Sequence, residues 1–203
     1  VNPAHAHCFR AGTGTPLVLL HGSHGTETEL MPMAGDVAPG SPALGIRGTV
    51  PMEDGYSFFH RFPDRRVDEA DIAARVPVLA DYIETSCAGY RLTEPPVAMG
   101  FSNGAIMAAA LLLTRPGLLA GAILLRPLSP FTGAPRCRLD RTPVQIIDGA
   151  KDHRRAAGDG LRLAQQLNRA GARVTHHVLP VGHALTAEDA ELARVWLRAT
   201  LGR

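Results

Sequence analysis

Lysine is nearly absent from this 203-residue chain: Lys151 stands alone, and arginine supplies the rest of the 21 positive charges that face 19 negative ones. With abundant Ala, Gly and Pro, that bias points to a G+C-rich coding sequence and says little about chemistry. The net charge of +2 is small and the basic residues are scattered, which argues against a nucleic-acid partner. Cysteine is scarce as well. Cys8, Cys87 and Cys137 are odd in number and lack CxxC spacing, which speaks against a disulfide framework and predicts reduced thiols in a cytoplasmic protein. Long apolar runs are missing too. The longest, residues 105–113, is about half of the roughly 20 residues that a bilayer span requires, so no membrane span is expected. Residues 1–7 have neither a basic start nor an apolar signal core.

What remains is an ordinary globular composition, 45% hydrophobic and 20% charged, enough to bury one sizeable core. A single domain spanning 1–203 is the expectation. Short apolar runs at 16–20, 43–46, 96–99, 121–125 and 144–147 read as strands, and 174–179 reads as the last strand. Between and after them lie helical patterns at 68–88 (with a kink at Pro77), 105–113, 160–170 and from Thr186 onward, where Thr186-Ala187-Glu188-Asp189 has the form of a helix-capping sequence. Strands apolar on both faces and spaced by helices predict an α/β fold with a mainly parallel central sheet, helices on both faces and no large lid domain. Residues 49–66 form the longest irregular stretch and are rich in aromatics, a plausible rim for a site.

The 96–99 strand runs directly into Gly100-Phe101-Ser102-Asn103-Gly104, a G-x-S-x-G sequence followed by a helix. That context is what the nucleophile turn demands. Bulk at Gly100 or Gly104 would strike adjacent backbone, and a sharp turn exposes the Ser102 hydroxyl while aiming the helix N-terminus at it. A serine hydroxyl needs a base, and the base needs a group to orient it. In parallel sheets such groups collect at the carboxyl ends of strands. Asp148 and Asp152 follow one strand, and His183 follows the last. Asp152 is preferred as the acid because it lies beyond the strand end, where its carboxylate can swing; Asp148 is close to the strand and suited to hydrogen-bonding loop amides. His183 is preferred as the base over His176 and His177, which sit within a strand. The chain order Ser, Asp, His is the α/β-hydrolase order. The pairs His5-x-His7 and His21-x-x-His24 have no companion ligands at zinc spacing, so no metal is expected.

Leu19-Leu20-His21-Gly22-Ser23, the Gly100–Gly104 motif, Gly149-Ala150-Lys151-Asp152 and Gly182-His183 together resemble the bacterial phospholipase/carboxylesterase branch of the α/β-hydrolases, which also holds acyl-protein thioesterases. The likeness covers residues 16–196. It implies a cofactor-free serine hydrolase of carboxylic esters with Ser102, Asp152 and His183 as catalytic residues and the backbone amides of Ser23 and Asn103 as the oxyanion hole. Two segments depart from the family pattern: Ser23-His24-Gly25-Thr26-Glu27, where His24 could shape the leaving-group side, and His153-Arg154-Arg155, which lacks the usual apolar-proline continuation.

Substrate preference is less legible. Phe58 and Phe59, with Tyr56, Phe62, Leu128 and Phe131, are candidate walls of an acyl or aryl pocket, and the absence of a lid favours small soluble esters. A thioesterase or deacylase acting on long acyl groups would use the same machinery, and a non-catalytic ligand-binding relative would keep only the fold. A dienelactone-type hydrolase would want cysteine where Ser102 stands. The sequence leaves a homodimer open.

Overall fold

The computed structural model describes residues 5–64, 66–133 and 137–201. Its elements run β1 (His7–Arg10), β2 (Leu17–Leu20), α1 (Met31–Val37), β3 (Ala43–Ile46), β4 (Val50–Pro51), β5 (Tyr56–Ser57), α2 (Glu69–Gly89), β6 (Val97–Phe101), α3 (Asn103–Thr114), β7 (Gly121–Leu125), β8 (Pro143–Gly149), α4 (Asp159–Arg169), β9 (Arg173–Leu179) and α5 (Ala187–Leu201).

The apolar strands are covered on both sides because their residues alternate between two cores. Val18, Leu20, Ala98, Leu124 and Ile146 join α2, α3 and α4 in one cluster. Leu17, Leu19, Met99, Ile123 and Ile147 face α1 and α5 in the other. A period-2 chain with apolar residues at every position has no other way to hide them from water. The sheet order is β1-β3-β2-β6-β7-β8-β9; every pairing is parallel except β1 with β3. After β2 the chain builds outward through β3, then crosses back to place β6 on the other flank of β2. The carboxyl ends of β2 and β6 therefore border a topological switch point, where parallel sheets hold their ligands. No helix among the described residues is long and apolar enough to cross a membrane.

Four elements lie outside the sequence reading. β1 is a half-buried edge strand, so it lacks the solid apolar signature of the inner strands. α1 is seven residues with Pro and Gly inside and buries only Ala34 and Val37. The stretch at 49–66 is not wholly irregular, since β4 and β5 pair there as a small antiparallel ribbon. The α2 helix continues on both sides of Pro77.

Candidate active site

Ser102 is the pivot between β6 and α3. Its backbone lies at φ 51° and ψ −104°, outside the regions that L-residues ordinarily occupy. The glycines around it make this possible. A Cβ at Gly100 would meet the Gly104 carbonyl at 2.6 Å, and one at Gly104 would collide with the carbonyl of Leu20 in the neighbouring strand. The turn is pinned on each side: the Ser102 amide donates to the Leu125 carbonyl at 2.8 Å, and the Gly104 amide to the His21 carbonyl at 3.0 Å. Asn103 is fully buried, and its side-chain carbonyl accepts from the Phe58 amide at 2.8 Å.

Ser102 Oγ lies 3.0 Å from His183 Nε2, and His183 Nδ1 lies 2.7 Å from Asp152 Oδ2. With the carboxylate accepting from Nδ1–H, Nε2 is left to accept the Ser102 hydroxyl proton. The geometry is consistent with a triad drawn from three strand ends. Burial is the main influence holding His183 below the ordinary histidine range; Asp152 acts in the opposite sense, and Arg155 and Arg154 lower it further. The Phe101 ring packs against the imidazole, with centroids 5.2 Å apart.

Asp148, the other carboxylate considered for this strand, is engaged elsewhere. It accepts from His176 Nε2 at 2.7 Å, a side-chain partner where loop amides were expected. A Cβ at Gly160 would strike that carboxylate, so the bare start of α4 makes room for it.

The amides of Ser23 and Asn103 both sit where a strand has just ended, and neither donates to a protein acceptor among the described residues. Ser102 opens into a cavity of about 320 Å³ walled by Ser23, His24, Met52, Arg61, Arg154 and Arg155. His24 reaches this wall from a left-handed turn at φ 68°. The proposed aromatic walls do not. Phe58 and Phe59 are 2% and 1% exposed, buried in the core beneath α2 and α3, because tying the Phe58 amide to Asn103 draws the segment inward. Leu128 is half-buried against the same core. The ring nitrogens of His21 are both used internally, Nδ1–H donating to the Gly22 carbonyl and Nε2 accepting from the Gly48 amide.

Several groups around the site were missed by the sequence reading. Arg155 Nη2 donates to Ser102 Oγ at 3.0 Å and Nε to the Arg126 carbonyl at 2.8 Å; the departure at His153-Arg154-Arg155 was its one visible signal. Arg126 is completely buried and makes a two-pronged ion pair with Asp189 at 2.7 and 2.8 Å. It also donates to the Gly182 and Ala184 carbonyls on either side of His183, at 3.1 and 3.3 Å. Asp189 accepts from the Thr186 amide at 2.8 Å as well, so the capping sequence of α5 doubles as an anchor for the His183 loop. Nothing in the local pattern of Arg126 foretells this, since Gly182, Ala184 and Asp189 lie 56 or more residues away.

Comparison with known proteins agrees with this architecture. The chain is 33% identical over 198 residues to MhqD of Bacillus subtilis, covering 96% of this chain and 98% of that protein. A solved carboxylesterase of Bacillus cereus superposes with a TM-score of 0.92 at 32% identity, over 98% of this chain and 95% of its own. A carboxylesterase of Mesorhizobium loti superposes at 0.87, also with 32% identity, over 92% and 90%. Residues 37–201 match the phospholipase/carboxylesterase family model. The chain belongs to that family of α/β-hydrolases.

Proposed function

We propose that this protein is a serine carboxylesterase acting on small esters through an acyl-enzyme. The observation that carries the reading is the unbroken relay of 3.0 Å from Ser102 Oγ to His183 Nε2 and 2.7 Å from His183 Nδ1 to Asp152. His183 takes the Ser102 proton as Oγ attacks the ester carbonyl carbon. Asp152 holds the imidazole in the required tautomer and stabilises its cationic form. The carbonyl oxygen becomes an oxyanion and accepts hydrogen bonds from the amides of Ser23 and Asn103. The imidazolium then protonates the departing alcohol oxygen as the C–O bond breaks, leaving the acyl group on Ser102. A water surrenders a proton to His183 and attacks the acyl carbon; the acid leaves and Ser102 regains its proton.

The cavity supports small substrates. Met52 is the one apolar side chain among its described walls, so a long acyl chain finds little to lie against. Ser102→Ala, assayed with p-nitrophenyl acetate and labelled with a fluorophosphonate, should lose both turnover and labelling; wild-type behaviour in that variant would overturn the mechanism. A series of nitrophenyl esters should show activity declining from butyrate to octanoate.

A further inference from the structure

Arg61, Arg154 and Arg155 share one small cavity with Ser102, and among the described residues no carboxylate lines it. A desolvated guanidinium is unfavourable unless an anion or good acceptors compensate it, so the partners of Arg155 matter. Nε donates to the Arg126 carbonyl at 2.8 Å, Nη1 to the Arg154 carbonyl at 3.2 Å and Nη2 to Ser102 Oγ at 3.0 Å. These bonds use three of the five guanidinium N–H groups, and every acceptor is neutral. Asp152, Asp159 and Asp148 attract Arg155 from a distance. Each is committed to another group: Asp152 to His183, Asp159 to Arg162 and Asp148 to His176. Burial, reinforced by repulsion from Arg61, pushes Arg155 down to about 10, still a cation at neutral pH. A part-buried guanidinium whose acceptors are all neutral, as those of Arg155 are, is costly in the free protein and becomes favourable when an anion enters.

We infer that the ester bound here carries a carboxylate, which pairs with Arg155 while Arg154 and Arg61 line its approach. This rests on Ser102 being the nucleophile of an esterase and adds the charge of the substrate. Arg155 Nη2 lies 3.0 Å from the attacking oxygen, and a charged N–H···O bond spans about 2.7–2.9 Å. The carboxylate therefore lies only a few atoms from the reacting carbonyl. Monoesters of short diacids meet that requirement from the acyl side, and esters of small hydroxy acids from the alcohol side. Either one places a fixed negative charge where a neutral ester of the same size leaves the guanidinium unmatched.

The test has two arms, each read by pH-stat: methyl hydrogen succinate against methyl butyrate for the acyl side, and acetoxyacetate against ethyl acetate for the alcohol side. In one arm the carboxylate-bearing ester should have the higher kcat/KM by about 10- to 100-fold, the worth of a hydrogen bond to a charged group. In Arg155→Met that ratio should collapse toward unity. Fluorophosphonate labelling of the same wild-type preparation reports on the esterase separately. Labelling with neutral-ester turnover but no anionic preference in either arm overturns the inference and leaves the esterase standing; absence of labelling and of all turnover overturns both. The wild type alone gives a further reading that needs no variant. Succinate should slow labelling at concentrations where succinamide does not, and equal effects of the two compounds would refute the carboxylate site.

Discussion

Two histidine–aspartate pairs stand side by side at the same edge of the sheet, and only one of them faces a hydroxyl. His183–Asp152 and His176–Asp148 both close at 2.7 Å, and each draws its carboxylate from β8 or just beyond and its imidazole from β9 or just beyond. The contrast lies in what holds them. His176 and Asp148 belong to paired strands, so both are fixed by the sheet. They line a larger hollow of about 740 Å³ that shares Arg155 with the Ser102 cavity but contains neither Ser102 nor His183. Asp152 and His183 lie past their strand ends, in loops that can deliver them to the tip of β6. The same short imidazole–carboxylate bond thus occurs twice here, and only the pair carried by loops beyond the strand ends is brought within reach of the Ser102 hydroxyl.

The largest effect that could break this contrast is the loss of the base. His183→Ala should lower kcat on p-nitrophenyl acetate by about 10⁴-fold or more, whereas His176→Ala should stay within about threefold. Comparable losses in the two variants would mean that the pairs had been wrongly distinguished. Next come the carboxylates. Asp152→Asn should cost about 10³- to 10⁴-fold by favouring the wrong tautomer. Asp148→Asn should leave turnover nearly intact and instead lower the melting temperature by a few degrees, as expected for a weakened, partly buried hydrogen bond. Burial pushes the Asp148 carboxyl up while His176 pulls it down, so this pair is a matter of stability.

The support beneath the His183 loop sharpens the contrast further. Asp189→Asn leaves the Arg126 charge buried without its counter-ion, which should destabilise the protein by about 3–5 kcal/mol in thermal or urea unfolding. The smallest effect is in pH. His183 must be neutral to act as a base, and its pKa is lowered, first by burial and further by Arg155 and Arg154. The acidic limb of kcat/KM should therefore fall below pH 6.5, and activity should persist at an acidity that would protonate an ordinary histidine. Arg155→Met removes one lowering influence and should move that limb upward. A limb above 6.5 in the wild type would mean that Asp152 outweighs burial.

The parts of the molecule that were readable from sequence are those whose chemistry is local. Continuous apolar runs announced the inner strands because a strand buried on both faces is built mostly of apolar residues, the buried Gln145 of β8 being an exception. Gly100 and Gly104 announced the turn because a side chain at either position meets backbone. Thr186 and Asp189 announced the start of α5. The edge strand β1 and the short α1 were unreadable because each is only partly buried. The cavity wall failed for a different reason: an aromatic in a loop can face a pocket or the core, and the bond from Phe58 to Asn103, 45 residues apart, decided for the core. Arg155 was visible only as a broken pattern, and its reach to Ser102, 53 residues away in the chain, could not be inferred from neighbours.

The grip of Asp189 on Arg126 gives α5 a hold on the loop around His183 although the helix contributes no side chain to the Ser102–His183–Asp152 relay. A chain cut just after Thr186 would retain Ser102, Asp152 and His183, yet Arg126 would lose its counter-ion and the peptide on either side of the imidazole would lose its moorings. Docking of α5 against Arg126 is accordingly a precondition for the loop around His183 to keep its place beside Ser102.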